Sequence, residues 1–180
     1  MEWLNQLISY LFCWVPRLSL VAPDEEGVRE TLGKRWKRLR PGWYLWWPPI
    51  QRIIRISVMP QIVNLPGQSA YTKDGISIVI SGALQYRIDN GAKTLLEVQD
   101  YDASLIALAL GEISIYANSK TLDECMDIEK LCGEILKGIR KSSSGWGIKI
   151  MRVLITDLAP VQSFRIIGNN SNTNIIPLGK

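Results

Sequence analysis

The stretch GISIVISGALQYRID (75–89) alternates over fifteen residues, and that alternation constrains the fold more than any other feature of the chain. Ile76, Ile78, Ile80, Leu84, Tyr86 and Ile88 share one parity, while Ser77, Ser81, Gln85, Arg87 and Asp89 share the other. A period of two predicts a strand with one buried face and one wet face. Directly afterwards the period changes. AKTLLEV (92–98) and YDASLIALALGEISIYANS (101–119) predict helices, the second with an apolar face through Leu105, Leu108, Ala109 and Ile113. TLDECMDIEKLCGEILKGIRK (121–141) predicts a further helix, opened by a Thr121/Glu124 capping box and carrying Leu122, Cys125, Ile128, Leu131, Cys132, Ile135, Leu136 and Ile139 on its inner face. GIKIMRVLITDLAP (147–160) returns to alternation with a phase shift near Arg152, the mark of a bulge. Upstream, RLSLVA (17–22), EGVRETLG (26–33), GWYLWW (42–47) and QRIIRISV (51–58) predict short strands, with Gly27, Gly33 and Gly42 as turns and with Pro60 and Pro66 punctuating the stretch between residues 58 and 75. The Asn- and Ser-rich tail from Gly168 is expected to be disordered.

Composition removes most enzymatic chemistry from consideration. The 180 residues include no histidine, so Ser-His, Cys-His and His-metal arrangements are absent. No phosphate-cradling glycine motif occurs either. Asp100 and Asp102 stand where a helix begins and are read as caps, not as a catalytic dyad. The odd count of three cysteines, with no C-x-x-C pair, argues against a disulfide framework and for a reducing compartment. Cys125 and Cys132 are read as core filling. The expectation is a protein without catalytic residues, metal or cofactor.

Two segments point instead to a surface that water alone does not satisfy. In PGWYLWWPPI (41–50), Trp43, Tyr44, Trp46 and Trp47 crowd together before two prolines. Just before them Lys34, Arg35, Lys37, Arg38 and Arg40 fall within seven residues, a signal for an anionic partner. At the N-terminus, Trp3, Leu4, Leu7, Ile8, Leu11, Trp14 and Val15 follow helical spacing, with Glu2, Asn5, Gln6 and Ser9 opposite and Pro16 as a stop. About thirteen apolar residues fall short of the roughly 20 that a membrane span needs, so the segment reads as a helix lying in a membrane interface. The acidic start, lacking a basic region and a small-residue cleavage site, argues against a signal peptide. Cys13 is read as a small buried hydrophobe in preference to an acylation site. One rival remains open: Lys34 to Arg40, with Trp36 among them, would also suit a soluble nucleic-acid-binding module.

Several motifs in order, VAPDEEGVRETLGK, LRPGWYLWWPPIQRIIRISV, YTKDGISIVISGALQYRI, YDASLIALALGEISIYANSKTLDEC and GWGIKIMRVLITDLAP, resemble the SPFH (stomatin, prohibitin, flotillin) superfamily over roughly residues 18 to 160, nearest its stomatin/prohibitin branch. The resemblance implies an α+β, Band 7-like fold: a membrane-anchoring helix at 1–16, a β-rich membrane-facing lobe at 17–88, an α/β lobe at 89–160 and a flexible tail at 161–180. It also implies a membrane-bound homo-oligomeric scaffold that organises lipid microdomains and regulates membrane proteases or channels. Members of the family continue into a long charged coiled coil, whereas about twenty residues follow Pro160. The aromatic cluster would then sit among headgroups and acyl chains, where tryptophan and tyrosine satisfy both an apolar body and a polar tip. The basic run would meet anionic lipid, and Arg17 with that run would keep the folded domain on the cytoplasmic side.

Overall fold

In the computed structural model, residues 15–161, 164–169 and 172–177 are described. In chain order their elements are β1 (Arg17–Val21), β2 (Glu25–Thr31), β3 (Arg35–Leu39), β4 (Gly42–Trp46), β5 (Gln51–Ser57), β6 (Gln61–Tyr71), β7 (Ser77–Ile88), α1 (Gly91–Glu97), α2 (Tyr101–Ser119), α3 (Leu122–Cys125), α4 (Ile128–Ser142), β8 (Ile148–Pro160), β9 (Phe164–Asn169) and β10 (Asn172–Pro177). The class is α+β. The strands form sheets of order β3-β2-β5 and β6-β7-β8 and the pairs β1-β4 and β9-β10. The interfacial helix expected at 1–16, with Trp3, Leu4, Leu7, Ile8, Leu11, Trp14 and Cys13, lies almost wholly outside the described residues. Among the described residues no helix is long and apolar enough to cross a membrane.

The chain falls into two compact units, and the break does not come at residue 88 as expected. One unit holds the chain through Gln61 together with Tyr86–Tyr101 and Ser143–Ile150; the other holds Ile62–Gln85, Asp102–Ser142 and the chain from Met151 on. The reason is visible around α1. The Asp89 and Asn90 amides both donate to the Gly147 carbonyl, at 2.9 and 3.0 Å, and the Thr94 hydroxyl donates to the Trp146 carbonyl at 2.9 Å. A late segment of the chain thereby joins the first unit, which no local pattern announces.

In that first unit, β2 is the central strand, flanked antiparallel by β3 and β5. Gly27, expected in a turn, sits inside β2 for another reason: a Cβ there would lie 2.9 Å from Val21 Cγ2 and 3.1 Å from Leu39 Cβ. The missing side chain lets β1 settle onto the sheet. Val28, on the opposite face of β2, is fully buried, and Ile56 is buried beside Gly91 at the start of α1. The basic run, which has no alternation to betray it, is the edge strand β3. Charged edges resist pairing with other chains, which is one use of such a composition.

In the second unit, Leu65, Ile78, Ile80 and Leu84 of β6 and β7 are buried, as are Leu105, Ala109 and Ile113 of α2 and Leu131, Ile135 and Ile139 of α4. β6 was hidden from the sequence by Pro66 and Gly67. Proline lacks an amide donor, and an edge strand tolerates it; β6 is such an edge. The single helix expected over 121–141 is two helices. Thr121 opens α3 with a complete capping box, Met126 closes it, and the Asp127 carboxylate then accepts from the Lys130 amide at 3.3 Å and starts α4. The parity shift expected near Arg152 is present, since Ile150 and Val153 are both buried three residues apart. The tail expected to be disordered contains β9 and β10, paired antiparallel from Phe164↔Pro177 to Asn169↔Asn172.

Candidate functional site

β1 and β4 form a two-stranded antiparallel ribbon, bounded in sequence by Pro16, Pro23, Pro41 and Pro48. Residues opposite one another in such a pair share a face. Leu18 stands opposite Leu45 and Leu20 opposite Trp43, and all four are outward, with relative exposures of 62%, 60%, 45% and 66%. Val15 and Trp47, 49% and 50% exposed, extend the apolar character at the Arg17/Trp46 end of the ribbon. The other face carries Arg17 opposite Trp46, Ser19 opposite Tyr44, and Val21, which is buried, opposite Gly42. Trp46 and Tyr44 are half-buried, and the Tyr44 hydroxyl donates to the Arg40 carbonyl at 2.8 Å. Trp47 is held in a turn by hydrogen bonds from its amide to Gln51 Oε1 (3.2 Å) and from the Gln51 amide to its carbonyl (2.8 Å).

Scattered exposed leucines are ordinary on protein surfaces. A contiguous apolar face on a strand pair is the informative case. The cluster read from the sequence therefore divides by parity: Trp43 and Trp47 belong to the outward face, whereas Tyr44 and Trp46 are turned inward and half-buried. Leu18, Leu20 and Leu45 were missed as site residues. Their signal was present in RLSLVA and GWYLWW, where the leucines hold one parity, but only the β1/β4 register shows that the two parities meet.

Lys34, Arg35, Lys37 and Arg40 are exposed. Arg38 is engaged elsewhere: its Nη2 lies 2.7 Å from Oε2 of Glu26, a buried carboxylate, and donates to the Asp89 carbonyl at 3.1 Å. A buried carboxylate needs such a partner, so Arg38 neutralises the interior and does not join a free basic stripe. Alternation along β3 also sends Arg35 and Lys37 to one face and Trp36 and Arg38 to the other.

Cys125 is buried, and burial with the nearby charges of Glu124 and Asp74 pushes its thiol above the usual range, which keeps it in the unreactive protonated form. Among the described residues no group of three or more His, Cys, Asp or Glu side chains is placed to hold a metal ion. A groove of about 1170 Å³ runs along α2 and α4 between Glu112, Tyr116, Lys120, Lys130, Glu134 and Lys137. Three of its lysines are engaged in surface ion pairs, Lys120 with Glu124 at 3.6 Å, Lys130 with Asp127 at 2.8 Å and Lys137 with Glu134 at 2.7 Å.

Comparison with known proteins gives the setting for this geometry. The SPFH domain / Band 7 family profile matches residues 19–173. A protein of Methanocaldococcus jannaschii is 26% identical over 164 residues, 91% of this chain and 82% of its own length. Mitochondrial stomatin-like protein 2 of Homo sapiens is 30% identical over 149 residues, 80% of this chain, but the chain spans only 42% of that protein's length. A protein of Acanthamoeba polyphaga mimivirus named for the band 7 family is 24% identical over 139 residues, 77% of this chain and 46% of its own length.

Proposed function

Because this chain belongs to the SPFH domain / Band 7 family, we propose that it is a membrane-associated scaffold whose β1/β4 ribbon lies against the bilayer. The observation that carries the reading is the outward face of Leu18, Leu20, Trp43 and Leu45, which is wholly apolar and in cross-strand register. A tryptophan has about 150–250 Å² to bury. With Trp43 66% exposed, about 100–165 Å² of it remains, an upper limit of about 2.5–4 kcal/mol at about 25 cal/mol per Å². A basic residue near an anionic surface contributes about 1 kcal/mol, so the ribbon dominates and Lys34, Arg35, Lys37 and Arg40 add attraction to anionic lipid. The helical spacing of residues 1–16 supplies a second, shallow anchor, and the basic residues after it favour a domain on the cytoplasmic side.

The finer reading is a homo-oligomer that organises membrane microdomains and regulates membrane proteins such as proteases or channels. Oligomerisation makes weak individual anchors strong collectively, through effective concentration. Nucleic acid fits less well, because Arg38 is committed to Glu26 and Trp36 stands on the face of β3 opposite to Arg35 and Lys37.

The test is co-sedimentation of the full chain with anionic liposomes. Trp43→Glu with Trp47→Glu should reduce binding about a hundredfold or more, since about 1.4 kcal/mol is tenfold. Lys37→Gln with Arg40→Gln should reduce it about tenfold, and only at low salt, because screening acts over about 10 Å at 0.1 M. Circular dichroism checks the fold of each variant. Normal binding by a folded tryptophan variant, or tighter binding to single-stranded oligonucleotides than to liposomes, would refute the assignment.

A further inference from the structure

A smaller cavity of about 280 Å³ lies in the first unit where the ribbon ends, lined by Pro23 just after β1 and Pro41 just before β4. Its charged lining is balanced: Glu25, Glu26 and Asp89 against Arg38, Arg40 and Arg87. Two ion pairs account for part of it, Arg38 with Glu26 at 2.7 Å and Arg87 with Asp89 at 2.9 Å. The remainder is incomplete. Oε1 of Glu26 is buried without a donor, and neither the Glu25 carboxylate nor the Arg40 guanidinium has a hydrogen-bonding or ionic partner among the described residues. Glu26 Oε1 is sealed on the side of Gly91, so the positions open to a ligand are the Glu25 carboxylate and the Arg40 guanidinium.

The charge balance selects the ligand. A simple anion would meet three carboxylates here, and a simple cation three guanidinium groups. We propose that the cavity takes a zwitterion of the phosphoethanolamine class, with its phosphate on Arg40, Arg38 and Arg87 and its ammonium toward Glu25. Guanidinium forks suit phosphate oxygens, and a primary ammonium brings three N–H donors to a carboxylate edge that lacks one. A quaternary choline has no N–H to give and is recognised by aromatic rings, and the cavity has no aromatic residue in its lining. The volume falls just below the range of ligand pockets, about 300–1,000 Å³, so it suits a headgroup and not a nucleotide. The outward Leu20–Trp43 pair is the last apolar pair of the ribbon before Pro23 and Pro41. That position makes a lipid headgroup the natural source, and this part of the inference rests on the membrane reading.

The experiment titrates soluble O-phosphoethanolamine, phosphocholine and inorganic phosphate into the full chain by calorimetry. Phosphoethanolamine should bind about tenfold more tightly than either of the others, the effect of one or two hydrogen bonds to charged groups. Arg40→Gln should weaken it about tenfold, and Glu25→Gln should remove its advantage over phosphate. Both side chains lack partners in the fold, so the variants should remain folded, which circular dichroism checks. Equal binding of phosphate and phosphoethanolamine, or no binding by a folded chain, would overturn the proposal. A second arm compares liposomes with and without phosphatidylethanolamine. Enrichment that helps the native chain but not Arg40→Gln assigns the site to a lipid headgroup, whereas a positive titration without that effect assigns it to a free zwitterion. Failure to bind any liposome would strike the ribbon's role alone, since the soluble titration needs no bilayer.

Discussion

The β1/β4 ribbon and helix α4 are both amphipathic, and they turn opposite faces to solvent. α4 buries Leu131, Ile135 and Ile139 and shows Glu129, Lys130, Glu134, Lys137 and Lys141 outward. The ribbon buries Val21, half-buries Tyr44 and Trp46, and shows Leu18, Leu20, Leu45 and Trp43 outward. Apart from Ile128 at its start, which is 49% exposed, the helix shows polar residues to water. The ribbon is stable only because part of its inner face is covered, and its outer face still has apolar surface to bury. That contrast assigns folding to one element and leaves the other as the proposed membrane contact, although each was made from the same pattern of alternating affinity for water.

The sharpest way to break the comparison is to truncate one apolar residue in each element. Leu131→Ala removes a fully buried side chain and should cost about 2–5 kcal/mol of stability. Trp43→Ala should change stability by no more than about 0.5 kcal/mol, as surface substitutions do. Liposome binding should reverse the order: it falls for the tryptophan variant and is unchanged for the leucine variant at temperatures where that variant is folded. Chemical denaturation and co-sedimentation together check this, and a Trp43→Ala variant that unfolds early would make the outward face a structural one.

A second prediction concerns the turn between β2 and β3. Leu32 has φ +51 and is 70% exposed, beside Gly33 at φ +66. For a residue with a Cβ the left-handed conformation costs about 1–2 kcal/mol, and asparagine tolerates it better. Leu32→Asn should therefore stabilise the chain by about 1 kcal/mol in thermal unfolding. If liposome binding falls at the same time, this leucine belongs with the ribbon as a lipid contact; a loss of stability would mean that Leu32 is held by packing.

A third prediction concerns α3. Thr121→Ala deletes a capping box and should cost about 0.5–2 kcal/mol. The same box responds to acid. The Thr121 amide, 3.1 Å from Glu124 Oε2, holds the Glu124 carboxyl below its ordinary value of 4.5, with Lys120 assisting. A carboxyl whose folded pKa is depressed stabilises above its unfolded value and loses that contribution as pH falls through the folded one. Protection of the α3 amides, measured against the intrinsic exchange rate at each pH, should fall below about pH 4.5 in the native chain, and Glu124→Gln should flatten that dependence; an identical profile in both would remove the box from the account.

Much of the fold was legible because its signals are local. The alternation of Ile78, Ile80, Leu84, Tyr86 and Ile88, the α2 and α4 faces, and the Thr121/Glu124 box each operate within one or two turns or a few strand residues. β3 and β6 were not legible, since an edge strand can be built from charges or carry Pro66 without losing a required hydrogen bond. Asp127 was a second helix cap inside a continuous apolar stripe, and stripes do not show where the backbone restarts.

The candidate site divides in the same way. By itself the sequence determined that Trp43 and Trp47 share a parity opposite to Tyr44 and Trp46, because strand side chains alternate regardless of context. It also determined that five basic residues fall within seven positions, and that histidine chemistry is absent. Only the tertiary structure decided which parity is covered. The absent Cβ of Gly27 admits Val21, which turns Leu18, Leu20, Trp43 and Leu45 outward as one face. Only the fold, too, took Arg38 from the basic run and set it on Glu26, since a buried carboxylate on the neighbouring strand leaves no trace in a local pattern.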